Sequence, residues 1–172
     1  MGILNTLTHV LHTAEQQPNA DYLLTNARLY PDMYPVSDQV RLATQFSENI
    51  VARLTNREPV NFDHDLGSYS KCYERIETVL KSVKEADKKT VNALGDSVSP
   101  TPMGPGKPVD MSEATYAHII ALPNIYFHLT TAYGILRKEG VPLGKMDYYA
   151  GFAPIAIHES EVLGKTKSAE SS

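Results

Sequence analysis

The stretch LPNIYFHLTTAYGILR, residues 122–137, decides the fold. At about 100° per residue, its large apolar side chains fall within about 80° of Ile125, which is the pattern of a helix packed on a core. This stripe consists of Ile125, Leu129, Ala132, Tyr133, Ile135 and Leu136. His128 lies inside the same arc, with Asn124 and Thr131 at its edge. The inner face of this helix therefore carries a line of polar groups.

The same spacing predicts three more amphipathic helices, at about residues 2–16, 36–55 and 67–83. The helix that contains the quoted stretch is expected to begin at a capping box, Asp110 to Glu113, and to continue to Glu139. Pro123 lies inside it and is expected to kink it. Four long amphipathic helices predict an all-α four-helix bundle.

Two segments lie outside this helical pattern. Residues 97–108 hold four prolines and two glycines. Loops of this length are usually lids, binding segments or disordered, so we predict one long irregular, mobile loop at an end of the bundle. We assign residues 1–152 to the bundle domain and residues 153–172 to a polar C-terminal tail that is expected to fray.

Composition narrows the class of protein. The 172 residues suit one domain, and the net charge of −4 comes without a basic block that would neutralise phosphates, so we expect no nucleic-acid partner. No apolar run reaches the roughly 18 residues of a membrane span, and the N-terminus lacks the basic start of a signal peptide. Cys72 is the single cysteine, which excludes an internal disulfide. We therefore expect a cytoplasmic protein with no membrane partner.

Polar residues also fall inside the apolar arc of the helix at 36–55, namely Gln39 and Ser47. Because buried polar groups need partners, two helices that both turn polar groups inward indicate a wet pocket between them. An internal hydrogen-bond network without a ligand explains this pattern about as well. Histidine is the side chain whose ordinary pKa lies nearest to neutral pH, so His128 is the candidate for acid–base chemistry. A core histidine satisfied by hydrogen bonds is the alternative.

The other candidate ligands and nucleophiles favour structural roles. His9 and His12 have a spacing that suits a metal, but both lie opposite the apolar stripe of their helix and are expected to be exposed. His64 lies between two aspartates, for which helix capping is the simpler explanation. Cys72 lies on an apolar stripe and is expected to pack in the core. The chain has no P-loop and no dinucleotide fingerprint, so no cofactor is predicted.

Two long blocks of sequence resemble a known family. They are ARLYPDMYPVSDQV at 27–40 and LPNIYFHLTTAYGILR at 122–137, the second followed by GVPLGK at 140–145. Together they are similar to an uncharacterised domain-of-unknown-function family of the DinB-like superfamily. The resemblance extends over about residues 3–151 and implies a DinB-like four-helix bundle, commonly dimeric. We therefore expect a homodimer.

The resemblance also raises the question of a metal. The superfamily contains metal-dependent thiol transferases and isomerases whose usual site is three histidines, two of them in an H-x-x-x-H motif on the last long helix. In this chain the motif becomes Asn124-Ile-Tyr-Phe-His128, and no histidine lies near Gln39 to supply the third ligand. An amide is a poor ligand for zinc or nickel. We therefore predict no tightly bound transition metal.

The leading hypothesis is a metal- and cofactor-independent enzyme that acts on a hydrophobic small molecule in a pocket of the bundle core. The expected reaction is an isomerisation, a cyclisation (pericyclic ones included) or a dehydration, in secondary metabolism. His128 is assigned as general acid or base, or as hydrogen-bond donor, and Asn124 and Gln39 are expected to orient a carbonyl. We predict that His128 and Gln39 line one common cavity.

The residues expected to bind substrate are Arg28, Asp32, Met33, Ser47, Tyr126, Thr131 and Tyr133. Arg28 and Asp32 are expected to close the mouth of the pocket as an ion pair, and the two tyrosines to stack or donate hydrogen bonds. Two alternatives stay open. One is a non-catalytic protein that binds small molecules or forms a structural dimer, and the other is a metal-dependent thiol transferase of the DinB type.

Overall fold

The computed structural model describes residues 1–170, and it describes side chains for residues 1–161. Its elements in chain order are α1 (Gly2–Glu15), α2 (Ala20–Thr25), α3 (Val36–Leu54), α4 (Tyr69–Glu85), α5 (Lys88–Leu94), β1 (Val98–Thr101), β2 (Val109–Ser112), α6 (Glu113–Thr115), a π-helical segment (Tyr116–Ala121), α7 (Leu122–Lys138), α8 (Lys145–Tyr149) and α9 (Ala153–Glu170). Helices α1, α3, α4 and α7 form the bundle, which confirms the predicted fold class.

Helices α3 and α7 are the central pair. They run antiparallel, because Gln39 near the start of α3 bonds to His128, whereas Arg53 near its end bonds to Glu113. The core between the four helices is apolar and fully buried. It includes Leu7, Leu11, Val40, Ala43, Cys72, Ile76, Leu129, Ala132, Ile135 and Leu136. Cys72 therefore packs in the core as predicted, and burial raises the pKa of its thiol to about 12.

The long helix before Pro123 is wider than an α-helix. Helix α6, the π-helical segment and α7 form one continuous helix from Glu113 to Lys138. The π-helical turns end two residues before Pro123, which has no N–H to donate to the carbonyl of Ile119. Prolines and π-helical turns are both recognised places where a long helix departs from regular α-helical geometry. The structure therefore has a π-helical segment before Pro123, and the expected kink at Pro123 itself stays a prediction.

Judged by length and composition, this helix is the one among the described residues that could cross a membrane. Its most apolar window has a mean hydropathy of 1.3. Core helices of globular proteins pass the same test. The inner side of this helix packs on α3, so its apolar character has an explanation within the bundle.

The predicted long loop is partly regular, which corrects the expectation for residues 97–108. Strands β1 and β2 pair antiparallel, with Val98 opposite Ser112 and Thr101 opposite Val109. Pro100 lies within β1, where it is tolerated because a two-stranded sheet consists only of edge strands. The sequence analysis missed this pairing because β1 contains Pro100 and both strands are only four residues long, although Val109–Ser112 alternates apolar and polar residues. The expected mobility of the segment stays a prediction.

Two other boundaries also differ from the prediction. The N-cap of α6 is Ser112, whose hydroxyl accepts a hydrogen bond from the Thr115 amide at 3.1 Å. Asp110 instead belongs to β2, so the predicted capping box is wrong. The C-terminal tail is helical over Ala153–Glu170, with Ile155 and Ile157 exposed, and residues 171–172 lie outside the described residues. The expected fraying of the tail stays a prediction.

The C-terminal end of the bundle closes onto α1 through Thr6 and Gly151. The Thr6 hydroxyl donates to the carbonyl of Tyr148 and accepts from the amide of Gly151, both at 3.1 Å. A Cβ at Gly151 would collide with the carbonyl oxygen of Gly2 and the amide nitrogen of Thr6. Both obstacles are backbone atoms, which cannot rotate away.

We predict that Gly151→Ala destabilises the fold by about 1–3 kcal/mol, the usual cost of overpacking. The matched control is Gly134→Ala within α7, where an added Cβ meets no atom within 4 Å. That change is expected to stabilise the fold by up to about 1 kcal/mol, because alanine is the better helix former. Urea denaturation of both variants measures the two effects. A Gly151→Ala protein as stable as the Gly134→Ala protein would contradict the described closure.

Candidate functional site

A hydrogen bond between two buried side chains joins α3 to α7. His128 Nδ1 lies 2.8 Å from Gln39 Oε1, and the two residues are 7% and 2% exposed. The amide nitrogen of Gln39 donates to the carbonyl of Tyr34 at 2.9 Å. Because this second bond turns the amide oxygen towards the imidazole, Nδ1 of His128 is the nitrogen that carries the proton. The other ring nitrogen, Nε2, then holds a lone pair.

Nε2 of His128 is available to a ligand. It makes no hydrogen bond with a side chain or backbone atom of the described residues. Among the described residues, every side-chain nitrogen or oxygen that is sealed from solvent has a hydrogen-bond partner. Nε2 therefore reaches the surface, where it can accept a hydrogen bond or a proton.

Two aromatic rings lie beside the His128 ring. The Phe46 ring is nearly parallel to the His128 ring, with centroids 6.2 Å apart, and the Phe127 ring meets it edge-on at 5.3 Å. Phe127 is 55% exposed, and Tyr34, which accepts the bond from Gln39, is 57% exposed. The imidazole therefore has aromatic neighbours. The cavities described in this structure are lined by residues other than His128 and Gln39, so the cavity that these two residues are expected to share stays a prediction.

Burial, and to a smaller extent the positive charge of Arg41, together lower the pKa of His128 to about 4. The imidazole is therefore neutral at neutral pH. A neutral ring with one protonated nitrogen can donate at Nδ1 and accept at Nε2 at the same time.

The superfamily's metal site does not fit the side chains at this position. Gln39, Asn124 and His128 together offer one imidazole and two amides, and transition-metal sites require imidazole, thiolate or carboxylate ligands. The Asn124 amide nitrogen donates to the carbonyl of Ile120 at 2.7 Å, within its own helix. Residues 1–161 contain no group of three histidines, cysteines or carboxylates that is arranged to hold a metal ion.

The structure brings together some of the predicted site residues. His128 and Gln39 are in direct contact, and Thr131 is buried one turn further along α7. Asn124 lies one turn before His128 and is half-buried. Ser47 is buried but donates to the carbonyl of Ala43 at 2.8 Å, so its polarity is satisfied within α3 and does not indicate a wet pocket.

The two tyrosines lie elsewhere, which corrects their assignment to the pocket. Tyr126 stacks on Phe152 with centroids 6.4 Å apart, and Tyr133 meets Tyr148 edge-on at 5.9 Å. Tyr126 is about 200° from His128 around the helix, and Tyr133 about 140°. Both tyrosines therefore face the C-terminal aromatic cluster of the bundle.

The expected ion pair at the mouth is also absent from the described residues. Arg28 donates to the carbonyl of Met33 at 2.7 Å, while Asp32 is exposed. Lys138 at the end of α7 donates to the carbonyl of Arg28 at 2.9 Å. Arg28 and Met33 therefore shape the loop before α3, and this loop supplies the Tyr34 carbonyl that orients Gln39.

Two of the remaining histidines make contacts that the sequence did not predict. His9 Nε2 lies 2.7 Å from Asp147 Oδ1, so His9 is partly buried against α8 rather than simply exposed. His12 stacks on Tyr73 with centroids 4.4 Å apart. Both contacts join α1 to its neighbours and are structural.

A second polar cluster at the other end of the α3–α7 pair was missed by the sequence analysis. Arg53 forms an ion pair with Glu113 and donates to Ser99 Oγ at 2.7 Å and Thr101 Oγ1 at 2.8 Å. The guanidinium carbon lies 4.0 Å from the centroid of the Tyr116 ring. Glu113 was assigned to helix capping because of its position at a helix start. A partner 60 residues away leaves no local pattern in the sequence.

Comparisons with known proteins agree with this architecture. A family model described as "Domain of unknown function (DUF1993)" matches residues 1–149. A crystal structure described as a DinB family member protein from Shewanella denitrificans is 31% identical, with a TM-score of 0.76 over 86% of this chain and 85% of that one. No curated protein matches this chain. The bundle, its antiparallel central pair and these matches lead to one conclusion: the chain belongs to the DUF1993 family and has a DinB-like fold.

Proposed function

We propose that this protein is a metal- and cofactor-independent enzyme that binds a hydrophobic small molecule beside His128 and isomerises, cyclises or dehydrates it. The observation that carries the proposal is the neutral imidazole whose Nδ1–H is held by Gln39 and whose Nε2 is free. A catalytic base that is oriented by a third group is the recurring arrangement of acid–base sites. Here the orienting group is an amide instead of a carboxylate.

Each residue has a defined part in this proposal. A substrate that lies against Phe46 and Phe127 presents a hydroxyl or an acidic C–H to Nε2 of His128. Gln39 stays hydrogen-bonded to Nδ1 and prevents the ring from turning. The surrounding rings exclude water from one side of the reacting group, which strengthens hydrogen bonds there. Holding one conformer of a flexible substrate contributes further to the rate.

The low pKa of His128 favours some reactions over others. An imidazole with a pKa of about 4 holds a full proton poorly, because burial and Arg41 disfavour the imidazolium. It still accepts a hydrogen bond well. Ring closure and isomerisation, in which the proton moves little or is passed on at once, therefore suit this site better than a reaction with a long-lived imidazolium.

A non-catalytic binding protein is the second candidate, and the same pKa supports it. A weakly basic imidazole beside exposed aromatic rings also serves simple recognition of a hydroxyl group. The metal-dependent thiol transferase is disfavoured by the imidazole-and-amide donor set. The homodimer and the cytoplasmic location stay predictions.

The pH dependence of stability tests the buried neutral state of His128. The pKa of His128 is about 4 in the folded protein, whereas the ordinary value for histidine is 6.5. Between these two pH values the unfolded chain binds a proton at His128 and the folded chain does not. The stability that the folded protein has while His128 is neutral in both states is therefore fully present above about pH 6.5 and is lost as the pH falls towards 4. Since one pKa unit equals about 1.4 kcal/mol, the loss approaches about 3 kcal/mol.

We expect the wild-type protein to lose about 2–3 kcal/mol more than His128→Phe between pH 7.5 and pH 4.5. Urea denaturation at the two pH values, with both proteins, gives this difference. Groups other than His128 titrate in both proteins and cancel in the comparison. Equal losses would mean that His128 is not buried in its neutral form.

The catalytic proposal is tested with the same variant. Purified protein is incubated with a pool of hydrophobic hydroxylated or carbonyl metabolites, and products are followed by chromatographic retention, because isomerisation leaves the mass unchanged. We expect His128→Phe to remain folded and to lose about 10²–10⁴-fold in rate, the usual worth of acid–base catalysis. The control is His118→Phe, an exposed histidine of the same long helix, which should keep full activity.

Two outcomes overturn the proposal. The first is a His128→Phe protein that converts the substrate as fast as the wild type. The second is a set of metabolites that raise the melting temperature of the wild type, but not of His128→Phe, without being converted by either. That result would identify a binding protein.

A further inference from the structure

A separate cavity of about 410 Å³ opens between α3, the π-helical segment and the β-hairpin. Its walls are largely apolar and include Phe46, Ala52, Pro59, Pro102 and Ile120. The size lies in the range of pockets that hold small organic molecules. The Phe46 ring forms a wall of this cavity and also lies against the His128 ring. The cavity is thus a neighbour of the proposed catalytic site.

The two arginines at the cavity wall are already neutralised. Arg53 is paired with Glu113, a carboxylate that is itself buried. Arg57 binds both carboxylate oxygens of Glu48, at 2.6 and 3.1 Å, and Glu48 is completely buried. Because each positive charge has its own buried carboxylate, the cavity offers no net charge to an anion. An uncharged ligand loses least by entering it.

Tyr116 supplies a hydroxyl group at the cavity wall. The residue is 5% exposed and lines the cavity. Burial raises the pKa of Tyr116, and a hydrogen bond from the Asn49 side chain to its oxygen acts in the opposite direction. The hydroxyl hydrogen has no acceptor among the described residues, and the oxygen is not sealed from the surface, since every sealed polar side-chain atom described is paired. The cavity is the open space that adjoins it. A tyrosine buried to this degree usually has its hydroxyl bonded, and the O–H of Tyr116 can donate to an acceptor inside the cavity.

Asn49 adds a second donor beside this hydroxyl. One N–H of its side-chain amide is directed at the Tyr116 oxygen, a hydrogen bond that opposes the rise in the Tyr116 pKa caused by burial. The Asn49 carbonyl oxygen accepts from the Gln45 amide at 3.0 Å. The Asn49 amide nitrogen has two N–H groups, so a second one remains to donate into the cavity. Arg53 lies over the face of the Tyr116 ring and draws electron density from it, which makes the hydroxyl a stronger donor. Two donors therefore meet in an otherwise apolar cavity.

We propose that this cavity binds an uncharged, mainly apolar molecule that carries a carbonyl oxygen, and that Tyr116 and Asn49 donate to that oxygen. A carbonyl has two lone pairs and accepts both bonds. Such binding goes beyond the proposed function, because it requires nothing from Nε2 of His128. The site assigns the class of ligand: a neutral ketone, ester, lactone or quinone with an apolar body.

Three probes of similar shape test the proposal by equilibrium dialysis: 2-acetylnaphthalene, a neutral ketone; 2-naphthoate, its anionic counterpart; and 2-ethylnaphthalene, which has no oxygen. We expect the ketone to bind more tightly than either of the others. Tyr116→Phe removes one hydrogen bond and should weaken ketone binding about 3- to 10-fold, as should Asn49→Leu. Neither change should weaken the binding of 2-ethylnaphthalene.

Tyr69→Phe is the matched control. Tyr69 is 6% exposed, almost the same as Tyr116, but its hydroxyl donates to the carbonyl of Ala20 away from the cavity. Ketone affinity should be unchanged in this variant. The proposal is overturned if the wild type fails to bind the ketone, if it prefers naphthoate, or if Tyr116→Phe and Asn49→Leu bind the ketone as tightly as the wild type. Since the readout is binding in variants that keep His128, these results do not depend on whether His128 is catalytic.

Discussion

The hydrogen bond between His128 and Gln39 is the contact around which the central helix pair is organised. Two large polar side chains are buried between α3 and α7, and burying them without partners costs several kcal/mol. The bond at 2.8 Å removes most of this cost, and it forms in one register of the two helices only. The Tyr34 carbonyl completes the arrangement by orienting the Gln39 amide. Packing and chemistry thus depend on the same atoms, because the bond that fixes the register also fixes the tautomer of His128.

The other end of the helix pair follows from that register. Since α3 and α7 run antiparallel, Arg53 comes to lie beside the π-helical segment and pairs with Glu113. Its remaining N–H groups bind Ser99 and Thr101 and hold the β-hairpin over the bundle. The cavity beneath the hairpin therefore exists only because the two helices are aligned as they are. The π-helical segment contributes as well, because it places Tyr116 on the cavity wall.

Helical periodicity predicted the bundle and the inward position of His128 and Gln39, because both residues lie well inside apolar arcs. It failed for residues whose partners lie far away in the sequence, and for polar residues whose hydrogen bonds are made within their own helix. Ser47 points inward but bonds to its own helix. Tyr133 lies at the edge of its arc and faces another neighbour. The pairing of Arg53 with Glu113 joins segments 60 residues apart, and helical phase does not specify such pairs.

The central claim of this account is that His128 is neutral, protonated at Nδ1 and free at Nε2. Nitrogen NMR of the histidine side chains measures the protonation of each ring nitrogen directly. The account predicts the neutral Nδ1–H form of His128 at pH 7 and still at pH 5, because burial lowers the pKa to about 4. Spectra of His118→Phe and His128→Phe assign the signals. An Nε2–H tautomer, or an imidazolium at pH 7, would contradict the account.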